Sequence, residues 1–492
     1  MKMRLIQSCY VLDQDAPSGY LRQQNILIEG DKILAVRPTG LPVNEAEVID
    51  GENLLVIPGL INAHTHSPEN VLRGTSERIP LEPWLVMQFA DMPNFSREMI
   101  YLMTLAGAGE MLRSGTTAVL DHFVMFEAFN AEGIDAAMRA YDVSGMRAAL
   151  SPMLEDRDLT SKYLLASSPE LAGFYSEQDS HPSTFEQLEL MRDFLDRWHG
   201  ASGGRLRGLP GLGGLQWCSP QLLDGSRDLA RQFNTGIHMH LNETRLQAQA
   251  CRSVLKRPAV LELERLGIMD PANSFAHAVW MEQEELDILA RSKAIVVHNP
   301  VSNLKLGSGI AKIPAMLDLG IPVGLGADGA ASNDNQNMFS AMKITGLIHS
   351  PAVERSARWL SARDVFSMAT VGGARAIGFQ GRLGLIKEGY LADLTLLDLN
   401  YAFHNPSTDA FQYLVFCETG SAVRHVLVGG EWAVKDGRVM TFREEEVLQE
   451  LAVQMKDYFR RSGKRDEKKT AALVEAWRRA LDKEYSLGGK QP

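Results

Sequence analysis

The sequence predicts an α/β fold: a (β/α)8 TIM barrel with a small β-sandwich domain built from both termini. Two observations carry this expectation. From about residue 54 to residue 328, short apolar runs alternate with helical periods, the rhythm of parallel strands joined by crossover helices. Both ends of the chain show instead the period-two alternation of antiparallel strands around tight turns.

Taken in order, residues 3–12, 25–36 and 47–57 alternate apolar and polar positions, with a turn at Gly30-Asp31. The barrel strands are expected at 54–63, 116–122, 146–151, 212–218, 236–242, 273–280, 293–299 and 321–328. Between them lie helical periods such as 97–114, which ends at Gly115 as a helix C-terminus favours. Residues 152–211 exceed what a strand-to-helix connection needs. They hold a polar stretch at 167–184 and a helix at 184–199, and this insertion could line or cover a pocket. Antiparallel patterning returns at 391–399 and 423–439, where Gly429-Gly430 and Asp436-Gly437 supply hairpin turns. From Arg443 to Tyr485 the chain is charged and helical, with an apolar stripe at Val447, Leu448, Leu451, Met455 and Phe459. The stripe fits a helix packed on its own barrel, with a dimer contact also open. The expected units are 1–57 with 380–440 as the β domain, 58–379 as the barrel, and 441–492 as a helical extension.

Composition narrows the class. The 492 residues carry a net charge of -11, which argues against a nucleic-acid partner. The four cysteines, Cys9, Cys218, Cys251 and Cys417, form no CxxC pair, so reduced thiols in a cytoplasmic protein are expected. The N-terminus reads as a strand rather than a signal peptide. No stretch offers the roughly 18 consecutive apolar residues of a membrane span. A homodimer or higher homo-oligomer acting on a small molecule, without membrane contact, is the expected setting.

The histidines are the informative feature. Of the 12, His64 and His66 end the first expected barrel strand, His238 and His240 the fifth, and His277 the sixth, while Asp328 ends the eighth. Active sites of such barrels lie at that C-terminal face, so these side chains converge on one pocket. One strand-end histidine alone is more often structural; their joint placement is not. In His64-Thr65-His66 strand alternation sends both imidazoles to one side, where they can share an ion. With His240 and Asp328 they make three nitrogens and one carboxylate, a set suited to one divalent ion, Zn²⁺ first, with Fe²⁺ or Mn²⁺ tolerated. An all-His/Asp set in a barrel mouth points to a site open to water rather than a closed structural one.

The segments PGLINAHTH (58–66), HLNE (240–243), HAVW (277–280), HNPVSNLKLGSG (298–309) and GLGADGAASND (324–334) resemble the motifs of the amidohydrolase superfamily. More narrowly they resemble its hydrolases of nitrogen heterocycles: guanine deaminase, thioadenosine/S-adenosylhomocysteine deaminase and the triazine hydrolases. The resemblance runs in order from about residue 55 to 400. It implies His64, His66, His240 and Asp328 as ligands of the metal, with Glu243, His277 and Asp328 as the catalytic side chains. Water is then the co-substrate, and the ion lowers its pKa toward ~7. Asp328 can take the water's proton, Glu243 can pass one to the ring nitrogen, and His277 can orient the attack. Neither MRAALS nor LGGLQWC carries the lysine that bridges two ions in other members, so one ion is expected.

Trp84, His122, Cys218, His298 and Asn299 are weaker candidates for substrate contact, each with a structural reading of comparable weight. Thioadenosine deaminases carry a GPHSP-like motif after the fourth strand, whereas this chain has Gln216-Trp217-Cys218-Ser219-Pro220. The change shifts the expected substrate from nucleosides toward compact purines, pterins, pyrimidines or s-triazines losing an amino or halide group. The alternative is an acyclic amide, urea or guanidine C–N bond. A non-catalytic barrel would show eroded ligands, and none is eroded.

Overall fold

The computed structural model describes residues 2–12, 21–38, 46–91, 95–124, 131–169, 171, 182–352, 358–400, 409–461 and 467–487. Strands from both ends of the chain join in one nine-stranded sheet. Its order is Arg438–Val439, Glu431–Lys435, Val423–Val428, Leu394–Asp398, Leu54–Pro58, Met3–Leu12, Leu21–Glu29 and Lys32–Arg37, with Glu47–Asp50 also paired to Met3–Leu12. The sheet has two apolar faces. Ile28, Ile33, Leu54, Val56 and Leu427 share one core, so the two ends of the sheet meet across it. Leu55, Ile57, Val426 and Val434 alternate to the opposite face and join the core of the barrel.

The sequence placed 54–63 in the first barrel strand, but the chain divides at Gly59. Leu54–Pro58 belongs to the terminal sheet, and Leu60–Thr65 begins the barrel. A Cβ at Gly59 would lie 2.1 Å from Thr117 Oγ1, so only glycine lets the two layers approach here.

Every pairing within the barrel is parallel. The ladders form two arcs. One holds Leu60–Thr65, Thr116–Asp121, Arg147–Leu150 and Leu206–Gly208; the other holds Met153–Leu154, Gly211–Gly214, His238–Leu241, Ser274–His277, Ile295–His298 and Val323–Leu325. The arcs are joined because the third and fourth strands run through both. Each is interrupted by a proline, Pro152 and Pro210, which has no N–H for the ladder. At the opposite seam Asp328 N–H donates to His64 O at 2.8 Å, linking the eighth strand end to the first. Eight strand positions therefore go round.

The fourth strand differs from the expected 212–218. It ends at Gly214, and Leu215–Trp217 forms a 3-10 turn. Ser219 caps the following helix Pro220–Gln232 by accepting from Leu222 N–H, so the residues before it must turn rather than extend. In the insertion, helices Leu159–Ser167 and Thr184–Trp198 are present, the second with a Ser183/Glu186 capping box. Most of the expected polar stretch, residues 170 and 172–181, lies outside the described residues.

The tail forms two helices, Glu444–Arg461 and Glu467–Leu487. The first lies along helix Arg97–Arg113, where Arg113 Nε meets Glu444 Oε1 at 2.9 Å. Of its expected stripe, Leu451 is buried and Val447 and Met455 pack against the barrel core, but Leu448 and Phe459 are exposed. The second packs Ala476, Trp477, Ala480 and Leu481 against Leu164, Leu171 and Leu246. Among the described residues no helix is long and apolar enough to cross a membrane.

Candidate metal centre and active site

The strand ends bring His64, His66, His240, Glu243, His277 and Asp328 together, all buried. Asp328 Oδ1 is 3.4 Å from His64 Nε2 and 3.3 Å from His66 Nε2, and His66 Nε2 is 3.4 Å from His240 Nε2. Four ligands at ~2.1 Å around one ion are separated by about 3.4 Å along each tetrahedral edge. These three separations match that value, and the ligand atoms of His64, His66 and Asp328 lie within 4.8 Å of one another, as do those of His64, His240 and His277. His64 Nε2 is buried and, within the protein, has no hydrogen-bond partner. The residues present therefore fit a single divalent ion.

Hydrogen bonds on the other ring nitrogens prepare this arrangement. His66 Nδ1 donates to His122 O at 2.6 Å, and His240 Nδ1 donates to Gly213 O at 2.7 Å. His64 Nδ1 contacts His238 Nε2 at 2.7 Å, and His238 Nδ1 contacts Ser274 Oγ at 2.7 Å. With carbonyls and a relay of this kind behind them, all three imidazoles turn Nε2 inward, where each offers a lone pair once that nitrogen is deprotonated. His238 thus supports a ligand from behind.

Asp328 is held in place through its backbone. Its φ of 68° lies in the left-handed region, and its carbonyl accepts from Thr65 Oγ1 at 3.0 Å and Gln336 Nε2 at 2.8 Å. Gln336 Oε1 in turn accepts from Asn62 Nδ2 at 2.8 Å. His277 has a φ of 73°. Residues held in this region cost about 1–3 kcal/mol each, and such strain collects at functional sites.

His277 Nδ1 donates to Asn303 Oδ1 at 2.8 Å, and its Nε2 lies 3.8 Å from both Glu243 Oε2 and Asp328 Oδ2. Glu243 Oε1 accepts from Ser308 Oγ at 3.2 Å. Burial raises the Glu243 pKa against the pull of His277, favouring a carboxyl that can carry a proton. Burial also works upward on Asp328, but the close contacts of His64 and His66 and the charges of His64 and His277 outweigh it and hold its pKa well below the usual range. One group stays an acceptor while its neighbour can hold a proton.

The weaker candidates divide. Trp84 is buried in an apolar cluster with Leu72, Leu81, Leu306 and Ala331, joining the loops after strands one, seven and eight, and its Nε1 donates to Ser76 Oγ. His122 lies inside the histidine cluster, 4.7 Å from His240 between ring centroids, and neither of its nitrogens has a protein partner. Asn299 packs at Gly326, where an added Cβ would meet its Oδ1 at 2.2 Å and His64 Cβ at 2.8 Å. His298 Nε2 faces His349 Nε2 at 3.3 Å. Cys218 does not suit substrate contact: its thiol donates to Leu154 O and sits in the outer core with Leu215 and Met239.

Sequence reasoning missed Asn303 and Ser308, both inside the quoted HNPVSNLKLGSG segment, and Glu69. Glu69 follows His66 by three residues on the turn Ser67–Val71 and lies against Gly329. Burial raises its pKa to about 7, with His66 opposing and Asp328 adding to the rise.

Residues 55–433 match the amidohydrolase family. The chain belongs to that family. It is 34% identical over 433 residues to the 5'-deoxyadenosine deaminase of Methanocaldococcus jannaschii, covering 87% of this chain and 95% of the relative. It is also 34% identical over 442 residues to the 5-methylthioadenosine/S-adenosylhomocysteine deaminase of Nitratidesulfovibrio vulgaris, covering 89% and 93%. Among solved structures, the zinc complex of atrazine chlorohydrolase from Arthrobacter aurescens aligns with a TM-score of 0.82. Identity there is 26%, over 92% of this chain and 99% of that one. Guanine deaminase from C. acetobutylicum, at 19% identity and a TM-score of 0.75, shares the fold.

Proposed function

We propose that this amidohydrolase removes an amino or halide group from a small nitrogen heterocycle by attack of water, using one divalent ion, Zn²⁺ first. The observation that carries the reading is the set of 3.3–3.4 Å separations among His64, His66, His240 and Asp328, with Glu243 and His277 beside it. When bound, the ion supplies Lewis acidity that makes water reactive near neutral pH.

The chain's own residues supply the rest. Asp328, kept ionised, receives a proton at its carboxylate. Glu243, with its raised pKa and its tie to Ser308, delivers a proton to the ring nitrogen as the tetrahedral carbon forms. His277, fixed by Asn303, orients the incoming water through Nε2. Trp84 and its apolar neighbours exclude bulk water.

The relatives named as deaminases of 5'-deoxyadenosine and methylthioadenosine support amino removal, and the atrazine chlorohydrolase likeness supports halide as a second leaving group. The QWCSP segment supports a compact heterocycle over a nucleoside only through the histidine it lacks, since Cys218 itself packs in the outer core away from substrate. A homodimer or higher oligomer in the cytoplasm completes the proposal.

The test is an ammonia- and halide-release screen of the zinc-loaded enzyme against purines, pterins, pyrimidines, triazines and small ureas. Turnover of at least one ring compound is expected, with Glu243→Gln lowering it about 10²–10⁴-fold while keeping the metal. Turnover of ureas alone would replace the reading with hydrolysis of an acyclic C–N bond.

A further inference from the structure

The barrel mouth carries a carboxylate that the hydrolytic machinery leaves unused. Glu155 follows Met153–Leu154 at the end of the third strand. Leu154 packs in the outer core, so strand alternation turns Glu155 toward the barrel axis. Its carboxylate lies across the fourth strand at Gly213, where an added Cβ would meet Glu155 Oε1 at 2.1 Å. Gly213 is the residue whose carbonyl accepts from His240 Nδ1. The strand is thus bare of side chain where the carboxylate rests, one peptide away from a ligand imidazole. Gln216 covers the adjacent Gly214 in the same way, and its Nε2 is buried with no partner in the protein.

Among the described residues no hydrogen bond or ion pair reaches the Glu155 carboxylate. Arg157, two residues on, donates its Nη2 to Leu215 O at 2.8 Å instead. Burial, with the like charge of Asp158 added, pushes the Glu155 pKa up to about 8. Glu155 is only half-buried, so its carboxylate stays open to a ligand entering the mouth, and N–H donors on that ligand would give it the partners the protein does not supply.

We propose that Glu155 is a specificity-determining residue that receives an N–H-rich edge of the substrate, a ring N–H beside a second exocyclic amine. The proposal rests on the hydrolase reading above and narrows its substrate to heterocycles bearing an amino group besides the one that leaves. A carboxylate accepts two parallel N–H bonds from such an edge, the geometry that makes paired charge-assisted contacts strong.

The experiment is calorimetric titration of the zinc-loaded Glu243→Gln protein, in which turnover is suppressed, with 2,4-diaminopyrimidine, whose N1 takes up the Glu155 carboxyl proton to give a ring N–H beside the 2-amine, and with the less basic 2-aminopyrimidine. The diamino probe is expected to bind ten- to hundredfold more tightly. Adding Glu155→Gln should abolish that preference while leaving the monoamino probe and the zinc content unchanged. Glu155→Asp, which shortens the reach without removing the charge, should give an intermediate preference. An undiminished preference in Glu155→Gln, equal affinities in the parent, or no binding of either probe would overturn the proposal. Turnover by the unmodified enzyme is measured separately, so a failed hydrolase reading and a failed Glu155 assignment give different results.

Discussion

The imidazoles of His64, His66 and His240 present the same nitrogen because His238, His122 O and Gly213 O hold the other one. Removing such a support weakens metal binding ~10–100-fold, so His238→Ala should lower zinc affinity by that much in a competition titration. Proton linkage adds a second expectation. Burial lowers the His66 pKa, but Asp328 and Glu69 more than offset it and raise the value to about 9. Without an ion His66 therefore holds a proton up to about pH 9, and metal binding expels it. Zinc affinity should rise about tenfold per pH unit through neutrality and level off above about 9. A flat profile from pH 6 to 9 would refute the His66 assignment. That His64, His66, His240 and Asp328 converge was legible in the sequence because each ends an apolar run. Asn303, Ser308 and Glu69 were not, since they reach the site from turns whose direction no periodicity encodes.

Elements hold these residues by means that local sequence shows only in part. The Asn62–Gln336–Asp328 chain locks the positive-φ turn of the eighth strand to the first. Gln336→Leu would strip the Asp328 carbonyl of one donor and Asn62 of its acceptor, at a cost of about 1–3 kcal/mol. Thermal denaturation should show the loss, with zinc affinity falling alongside it. The second tail helix ties loops together in a comparable way. Trp477 and Leu481 pack on Leu164 and Leu246, and Thr244 Oγ1 donates to Glu82 Oε1 at 2.5 Å beside Glu243. Strand type and order were readable from apolar runs and turn signals. The division at Gly59 and the early end of the fourth strand were not, because an apolar run continues through both points. What ends each element is a contact with a distant segment: Thr117 in one case, the capped helix after Ser219 in the other.

At the scale of the whole molecule, the terminal sheet and the barrel are joined by a buried, two-pronged ion pair. Arg147 Nε and Nη2 each donate to Asp393 at 2.9 Å, and Asp393 Oδ1 also accepts from Gly429 N–H at 2.8 Å. Asp393→Ala would leave a buried guanidinium unpaired, a change that costs about 3–5 kcal/mol. Urea denaturation should report it as a lower midpoint. The amphipathic ends foretold that both termini build one β unit, but not the strand order, which depends on the pairing of Leu394–Asp398 with Leu54–Pro58 across the whole barrel sequence. We propose that this architecture gathers His64, His66, His240 and Asp328 around one ion. Metal analysis by plasma mass spectrometry of the purified protein and of His240→Ala tests it most directly. One zinc per chain, lost in the variant, is the expected result; two ions per chain, or one retained by His240→Ala, would contradict it.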